Sequence, residues 1–133
     1  MHGSAPILSD SLVSACRAAV GDSLRTVIEF TPDAFEVLYV RRDLGDVAQV
    51  RREKAQFVEN ERVGFDEDYG TPIESGEESG IGAYEVTVRV FTDGFLSRVI
   101  VGDRGVILTT DGLDVDVMEE LSVTLRRLLA DAE

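Results

Sequence analysis

The sequence predicts an α+β fold of order α-β-β-α-β-β-β-α, a five-stranded antiparallel sheet with helices on both faces. Three observations lead there. The chain opens and closes on segments whose apolar residues recur every three or four positions, and five short segments between them show strand character bounded by turn residues. The central strands carry apolar residues on both sides, which requires a covering layer on each face. At 133 residues the chain suits a single domain, residues 1–133, with one core.

The first helix is expected from Leu8 to Val20, with Leu8, Leu12, Val13, Cys16, Ala19 and Val20 on its apolar side, Ser9 as its cap and Gly21 as its stop. Residues 1–7 precede it as a flexible terminus. Alternating residues over Leu24–Phe30 and Phe35–Val40, joined by Thr31-Pro32-Asp33, make a hairpin. Asp43 is placed to cap a second helix, with Asp46 suiting its positive end. The seam of that helix is Val47, Val50, Phe57 and Val58, interrupted by Lys54. So narrow a stripe covers the sheet only partly or meets a second subunit.

Residues 66–82 combine low hydrophobicity, concentrated acid and four glycines, and are expected to form a mobile acidic loop. Strand character returns over Tyr84–Phe91. Asp93-Gly94 is the pair favoured by a two-residue primed turn, and Phe95–Val101 and Val106–Thr109 complete three consecutive antiparallel strands. A final helix is capped near Asp114 and buries Val117, Met118, Leu121, Leu125, Leu128 and Leu129, with Arg126 and Arg127 late enough to suit its dipole.

Composition narrows the function classes. The 26 acidic residues stand against 12 arginines and one lysine, a net charge of −13. Self-repulsion of that size falls away in about 1 M salt, where the Debye length is roughly 3 Å, and arginine hydrates more weakly than lysine, so the balance is that of a protein working in concentrated salt. It resembles the composition of proteins from extremely halophilic archaea. Nucleic acid is disfavoured as a partner because little basic surface is available. No run of about 18 apolar residues could insert in a membrane, and the N-terminus lacks the pattern of a secretory signal, so a cytoplasmic location is expected. Cys16 is the single cysteine, which leaves no internal disulfide.

The order of elements over residues 8–131 resembles that of roadblock and profilin-like domains. That resemblance implies a homodimer mediated by the second helix and a scaffold or regulatory role, commonly beside a small GTPase. Composition and element order together are also similar to small uncharacterised haloarchaeal families.

No catalytic, cofactor or metal residues are assigned. His2 is the one histidine and lies in the terminus, so no Ser-His-Asp or Cys-His set can form around the core. Glu29 and Glu85, within strands, are the better candidates for buried carboxylates, with a solvated sheet face or ion pairs to Arg25 or Arg89 as the simpler expectation. The stretch from Asp66 fails as an EF-hand because Gly70 takes a ligand position and Thr71 the place of the obligatory glycine. Asp111, Asp114 and Asp116 read as turn, cap and helix start. The Gly102-Asp103-Arg104-Gly105 loop leads into a strand, which phosphate-cradling loops do not.

One departure from the acidic background remains. Between positions 41 and 54 five basic side chains stand against three acidic ones, a local net charge of +2. An intramolecular ion-pair network would account for it. The alternative is a partner interface of Arg41, Arg42, Val47, Val50, Arg51, Lys54 and Phe57, joining two copies of the chain or an acidic partner. The leading expectation is therefore a noncatalytic interaction or regulatory scaffold module that dimerises through helix 2. The second is a PAS-like small-molecule sensor with Tyr39, Tyr84 and Phe95 lining its pocket.

Overall fold

The computed structural model describes residues 8–66, 81–82 and 84–132. The expected terminus at 1–7, and all but the ends of the expected acidic loop at 66–82, lie outside the described residues. The elements are α1 (Leu8–Val20), β1 (Leu24–Phe30), β2 (Phe35–Val40), α2 (Val47–Glu61), β3 (Thr87–Phe91), β4 (Gly94–Val101), β5 (Arg104–Thr110) and α3 (Val115–Asp131). All sheet pairings are antiparallel and the strand order is β2-β1-β5-β4-β3, so β5 and β1 sit centrally and β2 and β3 form the edges. The predicted α+β architecture is the one observed.

Alternation sorts the strand residues onto two faces. On one, α1 and α3 pack together over Val27, Val99, Val106 and Leu108 with Leu12, Cys16, Leu121, Leu125 and Leu129. Burial there pushes the Cys16 thiol up to about 12, which leaves it an inert small core residue. On the other, α2 covers Ile28, Phe30, Val37, Leu96 and Ile107 through Val50 and Val58. Two bulges bend β1. The one between Leu24 and Thr26 makes Arg25 an extra residue opposite Thr109 and Thr110, so Leu24 joins the α1/α3 core while Thr26 bonds Thr109 on the α2 side at 2.6 Å.

Several local expectations shift. Ser9 lies inside α1 rather than capping it, because the helix already includes Leu8. Asp46, not Asp43, caps α2, accepting from the Gln49 amide at 2.8 Å; Gly45, at φ 107°, separates the short 3₁₀ turn holding Asp43 from the helix. The β3–β4 turn is Thr92-Asp93, with Gly94 already paired to Phe91. Neither Thr92 nor Asp93 has a positive φ, so the primed turn is absent; a Cβ on Gly94 would lie 2.6 Å from the Thr110 carbonyl oxygen. β3 begins at Thr87 rather than Tyr84. Asp114 caps α3 as expected, accepting from the amides of Asp116 and Val117.

Candidate interaction surface around helix α2

Helix α2 is pinned to the sheet along both flanks. Toward β2, Arg51 lies 4.1 Å over the Phe35 ring and donates to the Phe35 carbonyl at 2.9 Å, while Arg62, just past the helix, donates to the Thr31 carbonyl at 3.0 Å. Toward β3 and β4, a stripe at spacings of three and four carries Lys54, Phe57 and Glu61. Phe57 stacks on Phe91 with centroids 5.4 Å apart, and the Lys54 ammonium lies 4.5 Å from the Phe57 ring centroid.

Below the end of the stripe is a buried polar cluster. Glu61 and Arg98 are each 1 % exposed. Arg98 donates from Nη1 to Glu61 Oε1 at 3.0 Å and from Nη2 to Thr87 Oγ1 at 2.8 Å and Tyr84 Oη at 3.0 Å. Arg89, half open to solvent on β3, adds a second guanidinium to Glu61. The backbone at Gly64 closes over Arg98 so tightly that a Cβ there would lie 2.6 Å from the guanidinium carbon. Two charges leave water only where geometry and added hydrogen bonds offset desolvation, and this cluster supplies both. Sequence reasoning singled out Glu29 and Glu85 instead. Glu29 pairs with Arg104 at 3.1 Å and Glu85 with Arg126 at 3.8 Å, so they are ion-paired as expected, but with other arginines.

The seven residues assigned to an interface do not all share one surface. Arg41 is held by Asp43, by Asp111 and by the Asp22 carbonyl, the last at 2.9 Å. Asp111 also takes Arg25 at 2.9 Å, and these hydrogen bonds, Arg41 first, hold both Asp111 and Asp43 below the ordinary carboxylate range. Val50 is buried beneath the helix and presents no outer surface. Arg42 and Val47 are exposed at the entry to α2, Arg51 is exposed though tethered to Phe35, and Lys54 and Phe57 are half-buried on the β3 flank. Of the residues weighed as pocket liners, Phe95 borders a cleft beside Lys54, Tyr39 lies under Arg17 at 5.3 Å, and Tyr84 belongs to the Arg98 cluster. They do not converge on one pocket.

Apolar side chains are left uncovered at the start of α2 and on β3. Val47 is 51 % exposed, Phe91 44 % and Val90, on the opposite side of the same edge strand, 73 %. Among the described residues no strand pairs with the outer edge of β3. No group of His, Cys, Asp and Glu among them is placed to hold a metal, and no helix among them is long and apolar enough to cross a membrane.

The fold is shared with Myxococcus xanthus MglB, at a TM-score of 0.53 and 11 % identity over 98 % of this chain and 96 % of that one. The resemblance to roadblock-like domains read from the order of elements therefore holds at the level of the fold. No curated protein sequence matches this one. A family model described as Domain of unknown function (DUF7522) matches residues 10–130, and the chain belongs to that family.

Proposed function

We propose that the protein is a noncatalytic regulatory or scaffold module that pairs with a second copy of itself across α2 and the adjoining β3 edge, in a cytoplasm rich in salt. The observation that carries this reading is the coincidence of exposed apolar side chains, Val47 and Phe91, with a basic strip on the helix that a −13 chain otherwise lacks. A self-complementary contact fits the charge order along α2. Arg52 lies in its first half and Glu59, which Arg62 holds at 2.6 Å, in its last turn, so two antiparallel copies related by a twofold axis set Arg52 of each against Glu59 of the other. The edge of β3 beside Phe91, unpaired among the described residues, gives the contact a second element. Arginine suits the setting, since short bidentate pairs survive where long-range attraction is screened. The roadblock resemblance adds a further expectation, a small GTPase as the partner of the assembled module.

Light scattering in multimolar KCl tests the reading. The expected mass at tens of micromolar is twice that of the chain, and Phe57→Asp, checked for a native circular dichroism spectrum, reduces it to the single chain. A strictly monomeric parent, or a Phe57→Asp variant that still assembles, overturns the proposal.

A further inference from the structure

We infer that the cleft between α2 and the β3–β4 turn binds a small organic monocarboxylate, its carboxylate held between Lys54 and Arg25 and its apolar body lying against Phe57 and Phe91. The cleft has a volume of about 290 Å³ and is also bordered by Asp93 and Thr109. That is just below the roughly 300–1,000 Å³ range of drug-sized ligand pockets and suits a small ligand. The inference goes beyond the dimer reading and does not rest on it.

Lys54 is the one lysine in the chain, and among the described residues it makes no hydrogen bond or ion pair. Its ammonium is half-buried over the Phe57 ring, and its pKa is pushed down, first by burial and then by the positive charge of Arg25, with Glu53 acting the other way. A partly desolvated cation facing a second cation is destabilised in its charged form, and an anion in the cleft offsets that cost by pairing with both charges. The position of Arg25 has its own structural basis. It is the extra residue of the β1 bulge, a device that re-aims a side chain out of the regular alternation.

Charge sets the class of ligand. Arg25 is already engaged by Asp111 at 2.9 Å, whereas Lys54, with Glu53 beside it on the helix and Asp93 at the rim, has no ion-paired carboxylate among the described residues and is the one cation of the cleft open to an anion. That matches a monoanion and disfavours a phosphate dianion. The stacked rings of Phe57 and Phe91 form an apolar wall for a flat hydrocarbon body. The Thr109 hydroxyl is committed to Thr26, which leaves the two cations as the charged donors facing the ligand.

A single lysine gives one Lys Cε signal, so a ¹³C titration of the full chain reads the site directly. Benzoate serves as the probe, with benzyl alcohol and inorganic phosphate as controls. The free protein is expected to titrate below the ordinary lysine value of 10.5. Benzoate should shift the signal saturably and raise the titration midpoint, because it binds the protonated form. Lys54→Met should weaken the benzoate response of the Phe91 ring signals about tenfold or more. An absent or unsaturable shift overturns the inference, as does an equal response to benzyl alcohol or to phosphate. So does a free protein that already titrates at or above 10.5, since a carboxylate of the chain itself then fills the site. Because the wild-type titration is decisive alone, a poorly folded variant does not obscure the result, and a monomeric protein leaves it readable.

Discussion

On the α1/α3 face, Leu12, Cys16, Leu121, Leu125 and Leu129 from two helices close over Val27, Val99 and Leu108; on the α2 face a single helix spans the sheet, and its core adjoins Glu61 and Arg98. The first face is held by close-packed apolar contact, which is strong and carries no directional demand. The second depends on charged hydrogen bonds whose partners must all be present, and it leaves Phe91, Val47 and the Lys54 cleft open to other molecules. The difference teaches where each property resides. Close-packed apolar contact is concentrated under α1 and α3, and buried charge beside uncovered apolar side chains lies along α2.

Mutations separate the faces by the kind of cooperation they lose. The largest effect is expected at Glu61. Glu61→Leu leaves the buried Arg98 guanidinium without its carboxylate and should cost about 3–5 kcal/mol in urea unfolding, whereas Glu61→Leu with Arg98→Met should recover most of the loss, because the pair goes together. Strictly additive losses would show that the cluster is not a coupled unit. Leu125→Ala, opposite it in the fold, should cost about 2–5 kcal/mol through lost burial and a residual cavity, with no second substitution in the polar cluster able to restore it.

A smaller effect is expected at the rim, where Asp111 joins Arg25 and Arg41. Its folded pKa is held below the unfolded value, so its contribution is present above the ordinary carboxylate range and is lost as pH falls through the folded value. Asp111→Asn should therefore lower the melting temperature at neutral pH, and the gap from the parent should close in acid. A gap that widens in acid would contradict the assignment.

Much of this arrangement could be read from local pattern, and the exceptions are instructive. The bounds of α1, β1 and β2 follow from apolar period and from Gly21 and Thr31-Pro32-Asp33, all of which act within a few residues. The cap of α2 was also accessible, since Asp46 followed three positions later by Gln49 is a capping-box spacing, whereas Asp43 lies before the break at Gly45. Arg98 had a signal too. A lone arginine amid Leu96, Val99, Ile100 and Val101 in a strand flanked on both sides requires a buried acid, and Glu61 continues the Lys54–Phe57 stripe by four residues. Which acid answers which arginine was not legible, because the pair is joined through the pairing of β3 with β4 and the crossing of α2. The same holds for the cleft. Arg25, Lys54, Phe91 and Thr109 come from four elements, and the bulge that makes Arg25 an extra residue has no local marker.

The proposed pairing across α2 predicts which amides respond to protein concentration. Hydrogen exchange followed over a protein concentration series in multimolar KCl should show protection rising with concentration in α2 and β3 while α1 and α3 remain unchanged. Protection that rises instead on α1 and α3, or that is independent of concentration everywhere, would contradict the assignment of the α2 face as the surface through which this protein acts.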